Sequence, residues 1–292
     1  MQDLNWTGER LVTSLENDFL VYEHLHRYAF ARKLCSNKVI LDIASGEGYG
    51  SYLLSQVANH VYGVDIDAAS VLHAKEKYKQ QARNISFKVG STSAIPLDDN
   101  SVDVAVSFET IEHHNEHEEM IMEIKRVLKP DGMLVISSPD KDLYKQRAGN
   151  NPFHIKELNF EGFKFLMESH FTNCTYFKQC KVVASLIIPI QKTTAKFYTF
   201  DGDYTSIQED LQEDGTFNKY YFNLAVCSDE LYDEIQTASI FNAVKSLNNL
   251  LEKSRTQILK STSYKLGNWI VVKLRFIKKL LPNQIRKSKY LS

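Results

Sequence analysis

Five short apolar runs alternate with helix-like segments between about residues 39 and 138, and this alternation limits the chain to few folds. The runs are VILDIA, HVYGVDI, ISFKVG, VDVAVSF and GMLVISS, rich in valine and isoleucine as strands buried on both faces are. Helical patterns cover roughly residues 48–58, 68–81 and 116–128. Repeated strand–helix–strand units with short connections predict an α/β fold, a doubly wound and mostly parallel sheet with helices on both faces.

Three regions are predicted from the pattern of elements. Residues 1–36 contain FLVYEHLHRYAFARKL and form an N-terminal helical cap. Residues 37–230 form the sheet domain, with a strand in FTNCTYFKQC, a closing strand in YYFNLAVCS and an irregular insertion at about 181–217. Residues 231–292 show no strand pattern and form a helical extension.

The charges are divided unevenly, although the formal net charge of the 292 residues is only −1. Residues 253–292 hold eleven of the 35 basic residues and none of the 36 acidic residues. Beside Trp269 an apolar helical stripe consists of Ile270, Leu274, Ile277 and Leu281. This pattern is typical of an interfacial helix, so the predicted partner of 253–292 is an anionic membrane surface or a membrane-bound biosynthetic assembly. Nucleic acid is disfavoured as a partner because an apolar stripe makes no favourable contact with a phosphate backbone. Docking on an acidic protein, or on this chain's own acidic domain, stays open.

Other sequence features predict the cellular location and the assembly of the protein. No apolar run approaches the ~18 residues of a membrane span, and no charged-then-apolar leader opens the chain. The four cysteines are scattered without a C-x-x-C pair, which predicts reduced thiols in a cytoplasmic protein. Together with the basic residues of 253–292, this predicts a peripheral protein at the inner face of the cytoplasmic membrane. A heptad-like series in 231–260 predicts a short coiled coil, and with it a homo-oligomer, or a packed amphipathic helix.

The stretch VILDIASGEGYG places Gly46, Gly48 and Gly50 directly after the first predicted strand. Parallel sheets bind ligands at the carboxyl ends of their strands, and glycine allows both positive φ and close approach of a ligand. Asp65 ends the second strand, where a carboxylate can bind a ribose diol. These residues predict a nucleotide-like cofactor site, with a ligand-free tight turn as the alternative.

The loop differs from a dinucleotide site. Ser51 stands where the dinucleotide pattern has its third small residue, and Glu47 lies between the glycines. A glutamate beside a pyrophosphate is unfavourable, so a cationic, phosphate-free cofactor such as S-adenosylmethionine is favoured.

The motifs LDIASGEGYG, GVDID and VLKPDGMLVISSP resemble those of class I S-adenosylmethionine-dependent methyltransferases, over about residues 37–180. The resemblance implies a Rossmann-like, seven-stranded sheet. It also implies that Asp42, Gly46 and Gly48 line the methionine end of the cofactor. Asp65 would bind the ribose and Ile66 the adenine. Ser91 and Thr92 stand where the family often has an acid for the adenine amine.

The wider pattern of TGERLV, YEHLHRYAFA, SFETIEHH and NPFHIKEL is similar to methyltransferases of bacterial surface-polysaccharide gene clusters. It implies an O-methyltransferase acting on a glycan, such as a lipid-linked surface polysaccharide or its precursor. A methyltransferase of small phenol- or quinone-like molecules and a non-catalytic adaptor that retains the cofactor fold are the alternatives.

The stretch FETIEHHNEHEE follows the fourth predicted strand, so it lies at the cofactor edge of the sheet. If it begins as a helix, Glu109, Glu112 and His113 share one face, and they are the predicted catalytic residues. With His154 they could ligate Mg²⁺ or Mn²⁺ and lower the pKa of an acceptor hydroxyl. The spacing is similar to that in small-RNA 2′-O-methyltransferases and ubiquinone-pathway O-methyltransferases. A metal-free His113 base and a merely solvated helix start remain alternatives.

Overall fold

The computed structural model describes residues 20–148, 151–180, 200–202, 207–209, 221–233, 235, 239, 252 and 255–269. The strands within these residues are β1 (Val39–Ile43), β2 (His60–Asp65), β3 (Ile85–Val89), β4 (Val102–Phe108), β5 (Leu128–Pro139), β6 (Asn173–Gln179), β7 (Phe200–Gly202), β8 (Ile207–Glu209) and β9 (Phe222–Ser228). The helices are α1 (Leu20–Arg32), α2 (Tyr49–Ser55), α3 (Ala68–Tyr78), α4 (His117–Val127), α5 (Lys141–Ala148) and α6 (Phe160–His170), with a short 3₁₀ helix over Ile111–His113.

Seven strands form one sheet in the order β3-β2-β1-β4-β5-β9-β6. The first five pair in parallel, and β9 is antiparallel to both β5 and β6. The predicted seven-stranded α/β sheet is therefore present, as a mixed sheet with one reversed strand. The prediction that the last strand closes the sheet is wrong, because β9 lies between β5 and β6. Every residue of β9 is buried, whereas most of β6 is only half-buried, as suits an edge strand.

Helices cover both faces of the sheet. On one face α4 and α6 bury residues such as Ile121 and Phe163 against Leu41 and Ile136. On the other face Tyr28 of α1 and Leu54 of α2 pack on strand residues that include Val104 and Val226. Because both faces are covered, the strands read as continuous apolar runs instead of alternating ones.

The chain divides into two compact units, Met1–Leu15 with Glu23–Ile240 and Glu16–Tyr22 with Phe241–Ser292. In the second unit residues 255–260 and 262–269 are helical with exposed side chains. Most of the predicted heptad series, the apolar stripe after Trp269 and most of the predicted insertion lie outside the described residues. Among the residues that the structure describes, no helix is both long and apolar enough to cross a membrane.

Candidate active site

The loop after β1 contains three residues with left-handed backbone, Ala44 (φ 59°), Gly46 (φ 52°) and Gly48 (φ 83°). A non-glycine residue in this conformation is strained by ~1–2 kcal/mol. Such strain is found most often at functional sites, where the surrounding structure enforces it. Ala44 is also exposed, so its methyl group lies at the surface of the sheet's carboxyl edge.

The three glycines of the motif serve two different purposes. A Cβ on Gly48 would lie 2.7 Å from Phe87 Cζ, and a Cβ on Gly50 would lie 2.0 Å from Tyr28 Cζ. Both glycines therefore make room for internal packing. Gly46 is the one whose amide faces the next strand, where it donates to the Asp65 carboxylate at 2.7 Å.

Asp65 is fixed by two backbone amides at the end of β2. Its Oδ2 accepts from Gly46 N at 2.7 Å and its Oδ1 accepts from Asp67 N at 2.9 Å. A carboxylate oxygen can accept about two hydrogen bonds, so each oxygen keeps capacity for a ligand hydroxyl. The adjacent Ile66 is 75% exposed, an apolar surface that a flat ring could cover. The pair fits a ribose and its attached base.

Asp42 lies enclosed beneath the loop, with only 1% of its surface exposed. It accepts hydrogen bonds from Tyr28 Oη at 3.1 Å and from Ser51 Oγ at 2.6 Å. Burial raises the pKa of Asp42 to about 6, and the charge of Asp65 adds to the effect, while the two hydroxyl donors oppose it. Its observed contacts hold the first turn of α2 against α1.

Glu47 does not face the ligand side of the loop. It is 3% exposed, accepts from Lys77 Nζ at 2.6 Å and lies 3.4 Å from His73 Nε2, both on α3. The expectation that Glu47 faces a cationic ligand is therefore wrong. A basic helix face passes directly beneath the loop, so the carboxylate pairs inward.

Ser91 and Thr92 lie in the loop after β3, at the same edge of the sheet. Gly90 N donates to Asp65 O at 3.0 Å, and Ser91 Oγ lies 3.4 Å from Ser93 Oγ. Thr92 Oγ1 lies 3.5 Å from His114 Nε2, which connects this loop to the segment after β4. An adenine contact by Ser91 stays a prediction.

The segment after β4 does not begin as a helix. Glu109 has φ 52°, and the 3₁₀ helix spans only Ile111–His113. The predicted shared face of Glu109, Glu112 and His113 is therefore wrong. With this left-handed backbone, the Glu109 side chain lies beside Ser137 and Arg27. Its Oε1 accepts from Ser137 Oγ at 2.7 Å and lies 3.7 Å from Arg27 Nη2.

Glu112, His113 and His154 do come together. One ligand atom from each lies within 4.8 Å of the others, a separation that a single metal ion can bridge. Backbone hydrogen bonds join the segment around Glu112 to the segment after His154. Ile155 N and Lys156 N donate to Glu112 O at 2.8 and 3.2 Å. The structure therefore assembles three of the four predicted metal ligands.

Hydrogen bonds orient both imidazoles of this group. His113 Nδ1 lies 3.1 Å from Phe153 O, so it carries the proton and Nε2 keeps its lone pair. His154 Nδ1 pairs with Glu157 Oε1. The rings are perpendicular, with centroids 5.2 Å apart. Carboxylate and carbonyl partners on the far ring nitrogen are typical of metal-binding histidines.

Helix α1 contributes two buried residues to this edge. Besides Tyr28, the Arg27 side chain is 2% exposed, donates from Nε to Gln179 Oε1 at 2.8 Å and stacks 4.4 Å above the Phe222 ring. Its Nη1 is buried and has no hydrogen-bond partner among the described residues. These contacts pack α1 against the strands at this edge, and a role of α1 as a cap over the cofactor stays a prediction.

One domain family matches the part of the chain that contains β1 to β5 and the glycine loop. Residues 41–136 match the methyltransferase domain family. The mixed seven-stranded sheet and the glycine loop beside a strand-end aspartate agree with that match. These observations agree with the resemblance to class I S-adenosylmethionine-dependent methyltransferases that the sequence motifs carry, over the matched residues 41–136.

Similar proteins are named as probable methyltransferases. A probable S-adenosylmethionine-dependent methyltransferase of Mycolicibacterium smegmatis is 34% identical over 166 residues, 56% of this chain and 63% of that protein. The Rv3030 protein of Mycobacterium tuberculosis, named likewise, is 33% identical over 159 residues, 53% of this chain and 57% of its own. The chain thus spans about three fifths of these relatives. The PH0226 protein of Pyrococcus horikoshii shares the fold, with a TM-score of 0.50 at 18% identity over 74% of this chain and 93% of that one.

Proposed function

We propose that the protein is an S-adenosylmethionine-dependent O-methyltransferase. The observation that carries the proposal is the Asp65 carboxylate, fixed by two amides beside the exposed Ile66, at the same sheet edge as Glu112, His113 and His154. The first group suits an adenosyl cofactor, and the second suits activation of a hydroxyl. S-adenosylmethionine, when bound, would supply an electrophilic methyl group.

The protein's part is to bind, orient and deprotonate. Asp65 would hold the ribose hydroxyls of the cofactor. Ile66 would lie against its adenine, and the Gly46 loop would lie against its methionine end. A hydroxyl is a poor nucleophile until it loses its proton, so a base or a metal must act on the acceptor. Correct placement of the two reactants supplies much of the remaining acceleration.

Glu112, His113 and His154 would hold a divalent ion that lowers the pKa of the acceptor hydroxyl. One carboxylate and two imidazoles suit Mn²⁺ better than Mg²⁺, because Mn²⁺ tolerates nitrogen ligands more readily. Without an ion, His113 Nε2 is left as the base, since its Nδ1 faces Phe153 O. Glu109 would then hold Ser137 and Arg27 in place and would not act as a metal ligand.

For the acceptor we propose a glycan, on a lipid-linked surface polysaccharide or its precursor at the inner face of the cytoplasmic membrane. The support is the sequence resemblance and the basic residues of 253–292, of which the described residues 255–269 are exposed. The test compares surface glycans of cells with and without the protein by mass spectrometry. The expected difference is one methylene mass per modified site, and identical spectra would remove the glycan acceptor.

Membrane binding has its own test on the full chain. Sedimentation with anionic vesicles at low salt should carry the protein down, and replacement of Lys278 and Lys279 by serine should weaken this, since each basic residue contributes ~1 kcal/mol near an anionic surface. Neutral vesicles are the control. Equal recovery with both vesicle types would refute the membrane partner.

The cofactor is tested by calorimetry with S-adenosylmethionine and its demethylated product. Asp65→Ala should weaken both by ~100-fold or more, because two charge-assisted hydrogen bonds of ~1.5–3 kcal/mol each are lost. Asp131→Ala, a change at an exposed acid in β5, is the matched control and should bind normally. Undiminished binding by Asp65→Ala would remove the basis of the proposal.

The metal is tested by transfer of a labelled methyl group to the acceptor fraction. Chelation should abolish transfer and Mn²⁺ should restore it, and His154→Ala should need far more Mn²⁺ than wild type. His170→Ala is the matched control, since His170 forms a similar pair with Glu118 on the surface of α4 and α6. Transfer that survives chelation but is lost in His113→Ala would favour the metal-free base.

A further inference from the structure

Two cysteines face each other across the last two strands of the sheet. Cys174 of β6 is the register partner of Cys227 of β9 in the antiparallel pair. Directly opposed residues of antiparallel strands have Cα atoms ~4.5–5.5 Å apart, within the ~4.4–6.8 Å range of disulfides. Directly opposed residues project to the same face of the sheet, so the two side chains are neighbours, and Cys174 Sγ also donates to Phe171 O at 3.9 Å.

The two thiols differ in access. Cys227 is fully buried in the core beneath α6, while Cys174 lies half-buried on the edge strand, packed against that core. The interaction with Cys227 lowers the pKa of the Cys174 thiol, and the same interaction together with burial raises the pKa of Cys227. Cys174 is therefore the thiol that ionises and meets solvent, and Cys227 is its enclosed neighbour.

We propose that Cys174 and Cys227 form an oxidisable dithiol that closes to a cross-strand disulfide when hydrogen peroxide reaches the edge strand. The Cys174 thiolate attacks one peroxide oxygen, the O–O bond breaks, and the departing hydroxide takes a proton to become water. Cys227 sulfur then attacks the Cys174 sulfenic acid, the S–S bond forms, and the S–O bond breaks. The released hydroxide takes the Cys227 proton, so two thiols and one peroxide give one disulfide and two waters.

The dithiol lies away from the candidate active site. Cys227 pairs with Leu134 in the middle of β5, and it lies on the last two strands of the sheet with Cys174, whereas the candidate site follows the carboxyl ends of β1, β2 and β4. A disulfide would tie the edge strand β6 to β9 and enclose a loop of about 50 residues between them. Because β5 separates the dithiol on β9 and β6 from β1, β2 and β4, oxidation should leave the affinity for S-adenosylmethionine unchanged within twofold.

The test treats the full-length protein with a small excess of hydrogen peroxide, blocks remaining thiols and digests without reductant. We expect the count of blockable thiols to fall from four to two, with one Cys174–Cys227 cross-linked peptide that dithiothreitol reverses. Cys180→Ser is the control and should lose two thiols as wild type does. Cys227→Ser should stop at a Cys174 sulfenic acid that dimedone traps.

Three results would overturn the proposal. The first is that Cys174 still reacts with the blocking reagent after peroxide treatment. The second is a disulfide between Cys174 and a cysteine other than Cys227. The third is oxidation of Cys227 in the Cys174→Ser variant. Circular dichroism of each variant establishes that it is folded before oxidation. None of these readouts depends on methyl transfer, so the failure of this proposal and that of the enzymatic function are distinguishable.

Discussion

Gly50 lies in α2 directly against the ring of Tyr28 from α1. A Cβ on Gly50 would lie 2.0 Å from Tyr28 Cζ, 2.2 Å from its Oη and 2.4 Å from its Cε1, whereas real Cβ contacts do not fall below 3.0 Å. Gly50→Ala must therefore displace the ring. Its hydroxyl, which donates to Asp42 at 3.1 Å, would move with it.

The magnitude follows from three contributions. Alanine in place of a helical glycine stabilises by ~1 kcal/mol where there is room. Overpacking costs ~1–3 kcal/mol, and loss of the Tyr28 hydrogen bond costs ~1 kcal/mol. Gly50→Ala should thus lower the free energy of unfolding by ~1–3 kcal/mol in the wild-type background. In a Tyr28→Ala background, where the obstacle is absent, the same change should raise it by up to ~1 kcal/mol.

The assay is urea unfolding of the wild type, the two single variants and the double variant, followed by circular dichroism. The expected coupling energy between the two positions is ~2–4 kcal/mol, with a change of sign for the glycine substitution. Gly267→Ala is the control, because its added Cβ would have no heavy atom within 4 Å in helical residues 262–269. Costs that simply add, to within ~0.5 kcal/mol, would refute the steric reasoning.

Three other changes test the loop around β1. The Asp42 pKa is raised from 3.8 to about 6, so its stabilising contribution is present below about pH 4 and is lost as pH rises through about 6. Between pH 4 and pH 8 urea unfolding should show wild type losing ~3 kcal/mol relative to Asp42→Asn, and parallel pH profiles would contradict this. Ala44→Gly should relieve backbone strain and raise the melting temperature by a few degrees, where a decrease would be evidence against strain. Lys77→Met should cost ~2 kcal/mol because it removes the cation beside buried Glu47, without loss of cofactor affinity, while Lys75→Met on the exposed face of α3 should be neutral.

Much of the fold could be predicted from local pattern. The apolar runs between Val39 and Pro139 predict β1 to β5 to within a few residues, and the helical patterns predict α2, α3 and α4. Strand and helix type depend on periodicities of two and 3.6 residues, which neighbouring side chains express directly. The position of β9 between β5 and β6 depends on pairing with strands far away in the sequence, and no local pattern encodes that choice.

The candidate site shows the same division. The sequence singled out the glycine loop, Asp65 and the histidines after β4 and β5, because such residue types at strand ends carry chemistry. The sequence pattern wrongly placed Glu47 on the ligand side of the loop and wrongly gave Glu109 a helical backbone. Lys77 reaches Glu47 from another helix, and the left-handed conformation of Glu109 is enforced by the packing around it.

By itself, then, the sequence determined the layered α/β architecture, the edge of the sheet that holds the candidate site and the residues that could act there. Only the tertiary structure decided which of them meet. It brought His154 to Glu112 and His113, withdrew Glu109 to Ser137, assigned two of the three glycines to packing and set Cys174 opposite Cys227. The physical reason is that element type follows from short-range periodicity, whereas contacts between distant residues follow from how the elements pack.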